Sequence, residues 1–562
     1  MCRLPQGLST WALVLEPASL ILSPMAIRIY DSLTREKSPL KPLTPGEVKL
    51  YVCGPTVYDD CHIGHLMGPV LFDTVARWLA ARGYKVNFVN NITDIDDKII
   101  NRAIESGEAW DSIAERYTKQ YQGFLAELGV ETISSHPRCS DYVPQMITFI
   151  EDLIAQDKAY VADDGVYFDI QKHPGYGKLT RRKVEDMQAG SRVQAQSNLR
   201  HPGDFALWKN AKPQEPSWDS PFGAGRPGWH IECSVMSSEL LGGAFDLHGG
   251  GDDLKFPHHE NEIAQSEAHG DAFASTWMHN GMVQYGGRKV AKSDPRMQDA
   301  AFRQQFQARW LLDTYGAPAL RFFLLRSAYR RPVDFEPSTL EAARTGLIRM
   351  AKGLGSLAEE PGKVTLEEIQ EMNLDATNAA HRKGFIAAMD DDFSSGEALA
   401  ELFSLAQEAR TLEPEAKQIT LTLVRDLGRL LGLFRPGDLE LLLAAGSGSA
   451  DELLEQVAGA LLEVRALARE QKAFGTADAL RDALLQAGIT VEDGTPGTSR
   501  ANCHGAQTNA LDQILEAALA ARLAAKAAKD FVTADGLREG LAAVGISIQD
   551  GAEGSNWTRS GA

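Results

Sequence analysis

Apolar and polar positions alternate where the first strong element begins. Leu50 and Val52 point to one side of an extended segment, Tyr51 and Cys53 to the other. Gly54-Pro55 breaks it, and the period then lengthens: Leu71, Val75 and Leu79 recur at helical spacing and share a face. Arg82-Gly83 closes that helix with a basic last turn and a glycine stop. A second apolar strand, Lys85 to Ile92, follows at once. Strand, helix, strand predicts a βαβ unit, hence a parallel sheet whose ligands collect where strands end.

Further on, the periodicity becomes mixed. Helical patterns cover Asp111 to Leu128 and Val143 to Lys158, and the stretch Pro213 to Pro227 is rich in Gly, Pro and Trp. From about Ala319 the chain reads as amphipathic helices with few strand signals. Gly446-Ser-Gly-Ser-Ala450 marks a linker, and beyond it the sequence repeats. Arg465 through Phe474-Gly-Thr-Ala-Asp-Ala-Leu-Arg481 returns as Arg522 through Phe531-Val-Thr-Ala-Asp-Gly-Leu-Arg538, at a constant offset of 57 residues. Each copy predicts two helices and a short strand ending at Asp-Gly. Arg465, Arg469 and Lys472 in one copy, and Arg522, Lys526 and Lys529 in the other, are spaced to form a basic stripe fit for phosphates. Trp557 follows the second copy alone and is placed to stack on a base.

With 562 residues the chain has material for several cores. Six cysteines without a regular framework point to a reducing compartment rather than a disulfide scaffold. The net charge of −19 argues against a nucleic-acid partner only weakly, because binding follows local patches such as Arg181-Arg-Lys183 and Arg326 to Arg331. The apolar run Trp11 to Leu22 is interrupted by Glu16-Pro17, is too short to span a bilayer and lacks a secretory pattern. No other segment predicts a membrane span.

Two clusters carry candidate chemistry. His62-Ile-Gly-His65 sits at the start of the first helix, whose positive end stabilises phosphate charge. A pair of surface histidines at a cap is the alternative. His258 and Glu262 fall four apart on one helical face after Pro257, a spacing that supplies two metal ligands or a surface polar pair. On this reading the adjacent His259 points elsewhere.

The stretch from Tyr51 to His65 resembles the HIGH signature of class I aminoacyl-tRNA synthetases. Tyr51-Val-Cys-Gly before it and Asn91-Ile-Thr-Asp-Ile-Asp-Asp-Lys98 after it are similar to the cysteinyl-tRNA synthetase family in particular. So are Gly228-Trp-His-Ile-Glu-Cys-Ser234 and His248-Gly-Gly-Gly-Asp-Asp-Leu-Lys-Phe-Pro-His-His-Glu-Asn-Glu262. The resemblance covers about residues 25–500, and again the duplicated tail, a module that the family normally carries once. Met25 therefore reads as the working start, with 1–24 a disordered or artefactual leader.

The resemblance implies an α/β fold: a split Rossmann-like parallel-sheet catalytic domain with a connective insertion, a helical bundle and two small C-terminal α+β modules. The expected divisions are 25–111, the first catalytic half; 112–227, the insertion; and 228–318, the second half. The tRNA-contacting bundle follows at 319–445, then the two tail copies at 446–500 and 501–562. The implied activity is ligation of L-cysteine to tRNA-Cys with ATP, through an enzyme-bound cysteinyl-adenylate. Cys53 and Cys233, each placed at the end of a strand, join His258 and Glu262 as ligands of one Zn2+. The metal takes the substrate thiol, separating cysteine from serine, which pocket shape alone does poorly. Thr56, Thr93, Trp229, His248 and Asp253 fall on substrate-binding positions, and Cys2, Cys61, Cys139 and Cys503 remain ordinary thiols.

His62, Gly64 and His65 are implied in ATP binding. Lys289, Lys292 and Ser293 hold the charged and hydroxyl positions of a KMSKS-like loop, Gly287-Arg-Lys-Val-Ala-Lys-Ser293, in which Val290 and Ala291 depart from the family. Lysines aimed at the transferring phosphates stabilise charge as it builds. The segment after the loop, Asp294-Pro-Arg-Met-Gln298 onward, also departs and runs longer, so closure is expected to be differently anchored. Mg2+ accompanies ATP; a cytoplasmic monomer is expected. The alternatives are a cysteine:amino-sugar ligase of mycothiol synthesis and a non-catalytic tRNA-binding regulatory paralogue. One tail copy is expected to read the anticodon and the other to be auxiliary.

Overall fold

The protein is described by a computed structural model. It covers residues 26–184, 199–289, 294–355, 357, 364–438, 441, 450–492, 500–503, 510–544, 546–551 and 554–559. The expectations for residues 1–24 and for the linker through Ser449 lie outside the described residues. The chain divides into two units, Met1–Leu439 and Glu440–Ala562.

The first unit is built on four parallel strands: β1 (Glu47–Val52), β2 (Lys85–Asn90), β3 (Ala244–Gly251) and β4 (Phe273–Asn280). Their order across the sheet is β4-β3-β1-β2. Leu50 lies opposite both Phe88 and Leu247, so β1 is central, and its Val48, Leu50, Tyr51 and Val52 are all buried. The chain leaves β1 toward β2 on one side and returns as β3 on the other. That reversal opens a crevice at the carboxyl ends of β1 and β3, where open α/β sheets bind ligands.

Helix α1 (Ile63–Ala81) makes the first crossover, and Leu66, Val70, Phe72, Val75, Trp78 and Leu79 are buried along it. At about 1.5–3 kcal/mol for each fully buried large apolar side chain, this face accounts for much of the helix's attachment. Helices α2 (Trp229–Leu241) and α3 (His258–His269) flank β3 in sequence. The part expected as a long irregular insertion contains more order than its pattern suggested. Ala159–Ala162, Gly165–Phe168, Phe205–Asn210 and Gly225–Pro227 form a four-stranded antiparallel sheet. Its strands are short and two of them, Gly165–Phe168 and Gly225–Pro227, are buried throughout, so alternation is weak. After α4 (Ala317–Leu325), the helices Pro337–Leu354, Ala376–Asp390, Ser395–Glu408 and Pro414–Leu430 follow. Trp78 Nε1 donates to Asp390 Oδ1 at 3.1 Å, joining α1 to this helical part.

In the second unit the first copy supplies α5 (Ala450–Glu470), α6 (Phe474–Gln486), β5 (Thr490–Glu492) and β6 (Arg500–Asn502). The second supplies α7 (Ala510–Ala527), α8 (Phe531–Ala543), β7 (Ile546–Gly551) and β8 (Gly554–Arg559). Each copy thus ends in an antiparallel hairpin, not a lone strand. The copies do not keep separate cores. Val457, Leu461, Leu480, Leu484 and Ile489 of the first form one buried cluster with Ile514, Leu515, Leu537, Leu541 and Ile546 of the second. A repeat that cannot bury its apolar face alone buries it against its neighbour. The same packing takes Arg465 and Arg522 into the interior, so neither stripe lies wholly on the surface, although Arg469, Lys472 and Lys529 stay exposed. Trp557 lies opposite Ile548 and packs half-buried on this core.

Candidate active site and metal centre

Cys53 follows the last residue of β1, and its N–H donates to the carbonyl of Gly249 on β3 at 3.1 Å. The thiol therefore opens onto the crevice between the two strands. Gly54 is demanded here: a Cβ on it would fall 1.6 Å from the carbonyl oxygen of Asn91. Cys233 was expected at a strand end and instead lies inside α2. That helix is buried on almost every face, so its residues show no amphipathic stripe from which the period could be read. His258 and Glu262 lie one turn apart on α3, as their spacing predicts, with His258 Nε2 3.0 Å from Glu262 Oε1.

The four converge. Cys53 Sγ lies 3.5 Å from Cys233 Sγ and 3.4 Å from Glu262 Oε1. One donor atom from each of Cys53, Cys233, His258 and Glu262 falls within 4.8 Å of all the others. A second grouping at the same limit replaces Cys233 and His258 by His248 and His259. His259 thus points inward, contrary to expectation; its Nδ1 lies 2.8 Å from His279 Nε2, and its Nε2 finds no hydrogen-bond partner among the described residues. His248, on β3, sits behind the site: its Nε2 is 2.7 Å from Glu262 Oε2, and its ring stacks on Trp277. Expected on a substrate-binding position, it instead touches the Glu262 carboxylate, a contact of the kind that orients metal-ligating carboxylates.

Electrostatics fit a cation here. Burial pushes both thiols up, Cys53 also through Cys233 and Glu262, while burial holds His258 down at about 3 and therefore neutral. Two soft sulfurs, a neutral imidazole and a fully buried carboxylate form a donor set suited to a tetrahedral metal site. Sequence reasoning missed the neighbours of this cluster. The Cys139 thiol donates to Glu232 Oε2 at 2.9 Å, and Thr93 Oγ1 donates to the same oxygen at 3.1 Å. The Glu-Cys pair at 232–233 was the available signal.

The substrate-binding candidates surround the same end of the sheet. Thr56 and Thr93 pair as a parallel bridge between the segments that follow β1 and β2. Trp229, the first residue of α2, stacks its ring on His258 at 4.3 Å and stays 37% exposed. Asp253, in the turn after β3, is exposed on the rim of a cavity of about 760 Å³ that also includes Tyr30, Arg182 and Phe256.

His62 is the N-cap of α1; its Nδ1 accepts from the Gly64 N–H at 3.1 Å, while His65 Nδ1 accepts from the His62 N–H at 3.3 Å. The rings stack with centroids 3.8 Å apart. This reciprocal cap fixes both imidazoles at the helix's positive end. Lys289 ends the short strand Arg288–Lys289, paired with Val283–Tyr285; Lys292 and Ser293 lie outside the described residues. The departing segment is tied directly to the histidine signature. The Ile63 N–H donates to the Phe306 carbonyl and the Ala308 N–H to that of Cys61, both at 2.8 Å. Elsewhere, Arg181 donates to the Leu33 carbonyl and Arg330 pairs with Asp392, so parts of both expected basic patches serve the fold. Among the described residues no helix is long and apolar enough to cross a membrane.

Residues 39–345 match the family model of the tRNA synthetases class I (C) catalytic domain, residues 384–435 a DALR domain, and residues 451–498 the cysteinyl-tRNA ligase anticodon binding domain. The chain is 44% identical over 475 residues to the cysteine–tRNA ligase of Nitrosomonas eutropha, covering 84% of this chain and 99% of that one. It is 45% identical, with the same coverage, to that of Chromobacterium violaceum. Among solved structures, a Mycobacterium tuberculosis methionyl-tRNA synthetase in complex with methionyl-adenylate superposes with a TM-score of 0.50 at 14% identity. It covers 71% of this chain and 93% of that one. A ternary LeuRS-tRNA-LeuAMS complex from Agrobacterium radiobacter superposes with a TM-score of 0.51 at 14% identity, over 72% of this chain and 86% of that one. These two likenesses concern the fold.

Proposed function

The chain belongs to the cysteine–tRNA ligase family of class I synthetases, and on that premise we propose which of its residues carry the reaction. The enzyme joins L-cysteine to tRNA-Cys in two steps. The carboxylate of cysteine attacks the α-phosphorus of ATP, pyrophosphate leaves, and cysteinyl-adenylate remains bound. A hydroxyl of the terminal ribose of tRNA then attacks the acyl carbon, and AMP leaves. No bond to the protein is needed, so catalysis comes from positioning and electrostatics.

His62 and His65 bind and polarise ATP at the start of α1, where Gly64 lets the nucleotide approach the backbone. Lys289, Lys292 and Ser293 clamp the phosphates, and Mg2+ accompanies the nucleotide. Cys53, Cys233, His258 and Glu262 would hold one Zn2+, which would supply a thiophilic Lewis acid that prefers a thiolate to a hydroxyl. His248 positions Glu262. Thr56, Thr93, Trp229 and Asp253 hold the rest of the amino acid. The enzyme acts as a monomer in the cytoplasm. Convergence of the two thiols, imidazole and carboxylate beside the capped histidine pair carries this reading. A module similar to an anticodon binding domain has no use in an enzyme that passes cysteine to an amino sugar.

The test is transfer of labelled cysteine to a tRNA-Cys transcript with Mg·ATP, alongside the metal content of the purified protein. Charging, with zinc bound, is expected. Cysteine-dependent pyrophosphate exchange without charging would move the reading to another acceptor, and loss of both would exclude catalysis.

A further inference from the structure

We propose that the second tail copy is an additional RNA-binding module, with Lys529, Phe531, Asp535 and Arg538 forming a face that takes unpaired nucleotides. The proposal rests on the ligase reading in one respect: the first copy is taken as the anticodon reader.

Two copies allow a binding surface to be separated from a structural one. Ala468 and Ala525, Ala477 and Ala534, Leu480 and Leu537, Leu484 and Leu541, Ile489 and Ile546 are alike because they are buried in the shared core. Exposed positions feel no such constraint, and several have diverged: Glu470 and Ala527, Gly475 and Val532, Leu485 and Ala542, Gln486 and Ala543. Four exposed positions in the same region have not. They are Lys472 and Lys529, Phe474 and Phe531, Asp478 and Asp535, Arg481 and Arg538. In each copy the Phe, Asp and Arg stand at i, i+4 and i+7, one face of the second helix, with the lysine at the corner before it.

Packing does not account for these residues. Phe474 is 58% exposed and Phe531 61%, so each phenyl ring forgoes most of the benefit of burial. Lys472 and Lys529 both have φ of +59°, a left-handed conformation at a helix end where glycine is the default. A backbone cost accepted twice at the corner two residues before an exposed ring points to a ligand. The four groups suit unpaired nucleotides: the ring stacks on a base, the cations meet phosphate, and the carboxylate accepts from a base edge. Arg538 lies 3.4 Å from Asp535, which orients both on α8. The occupant follows from the first copy, whose identical quartet falls within the segment that matches an anticodon binding domain.

The test uses the full-length chain and a labelled RNA hairpin bearing the tRNA-Cys anticodon loop, with stoichiometry by native mass spectrometry and affinity by anisotropy. The wild type is expected to bind two hairpins. F531A with K529A should lose one and keep the other, F474A should do the converse, and each lost site should weaken about tenfold or more. All these side chains are exposed, so thermal unfolding should not change. In the F474A chain a hairpin with an unrelated loop separates tRNA from other RNA. Binding of either by the second face supports the proposal, and binding of neither overturns it. Parallel charging by the wild type separates two failures: charging while the second face binds neither hairpin overturns the second face alone, whereas no charging overturns the anticodon reading beneath it.

Discussion

Gly64 shows how tightly single atoms set the nucleotide end of the site. A Cβ there would lie 2.9 Å from His62 Cε1 and 3.0 Å from Nδ1, so G64A must push the imidazole off the helix cap. We expect pyrophosphate exchange to slow about 10- to 100-fold, the usual cost of misplacing a reacting group by about 1 Å, with little change in melting temperature. At the metal centre, C233S replaces a soft donor with a poor one. Metal per chain, by mass spectrometry, should fall to near zero, and cysteine activation with it. Retention of the metal by C233S would exclude Cys233 as a ligand and favour the grouping through His248 and His259. Cys53, His258 and Glu262 were legible because their motifs are local. The inward turn of His259 was not, since adjacent helical residues point about 100° apart and only the neighbours decide which directions are interior.

Between elements, His381 on the helix Ala376–Asp390 contacts two carboxylates. Its Nδ1 lies 2.5 Å from Glu401 and its Nε2 3.2 Å from Glu408. Burial works against its charge, but the bonds to Glu401 and Glu408 outweigh it and raise the imidazole above its usual value. A raised folded pKa means that the contribution is complete below about pH 6.5 and is lost as pH rises through the folded value. Melting temperature should therefore fall between about pH 6 and pH 8 in the wild type, and this part of the slope should vanish in H381Q. In the tail, removing residues 504–562 would uncover Val457, Leu461 and Leu484 of the shared core. Hydrogen exchange across α5 and α6 should rise sharply; unchanged protection would show that the first copy stands alone. Helical and strand periods revealed most of these elements. The insertion's antiparallel sheet escaped because its strands are short and two of them are buried on both faces, which removes their alternation.

Across the first unit, one buried arginine joins parts far apart in sequence. Arg321 donates to Asp73 Oδ2 on α1 at 2.5 Å, and to the carbonyls of Leu128 at 3.2 Å and Leu431 at 3.0 Å. Burial opposes the charge of Asp73, but Arg321 and Arg77 hold its carboxyl below the usual range. R321M would leave that carboxylate without its buried partner, at about 3–5 kcal/mol. A large drop in melting temperature is expected, most marked above the normal carboxylate pKa, where Asp73 is charged. The sequence by itself determined the βαβ start, the helical back half, the repeat and the motif residues, because period, punctuation and local spacing are properties of neighbouring positions. Only the tertiary structure decided that the two tail copies share one core, that Arg465 and Arg522 are interior, and that the Cys233 thiol reaches Cys53, His258 and Glu262 from a helix. Each depends on which surfaces meet, and no local pattern encodes that.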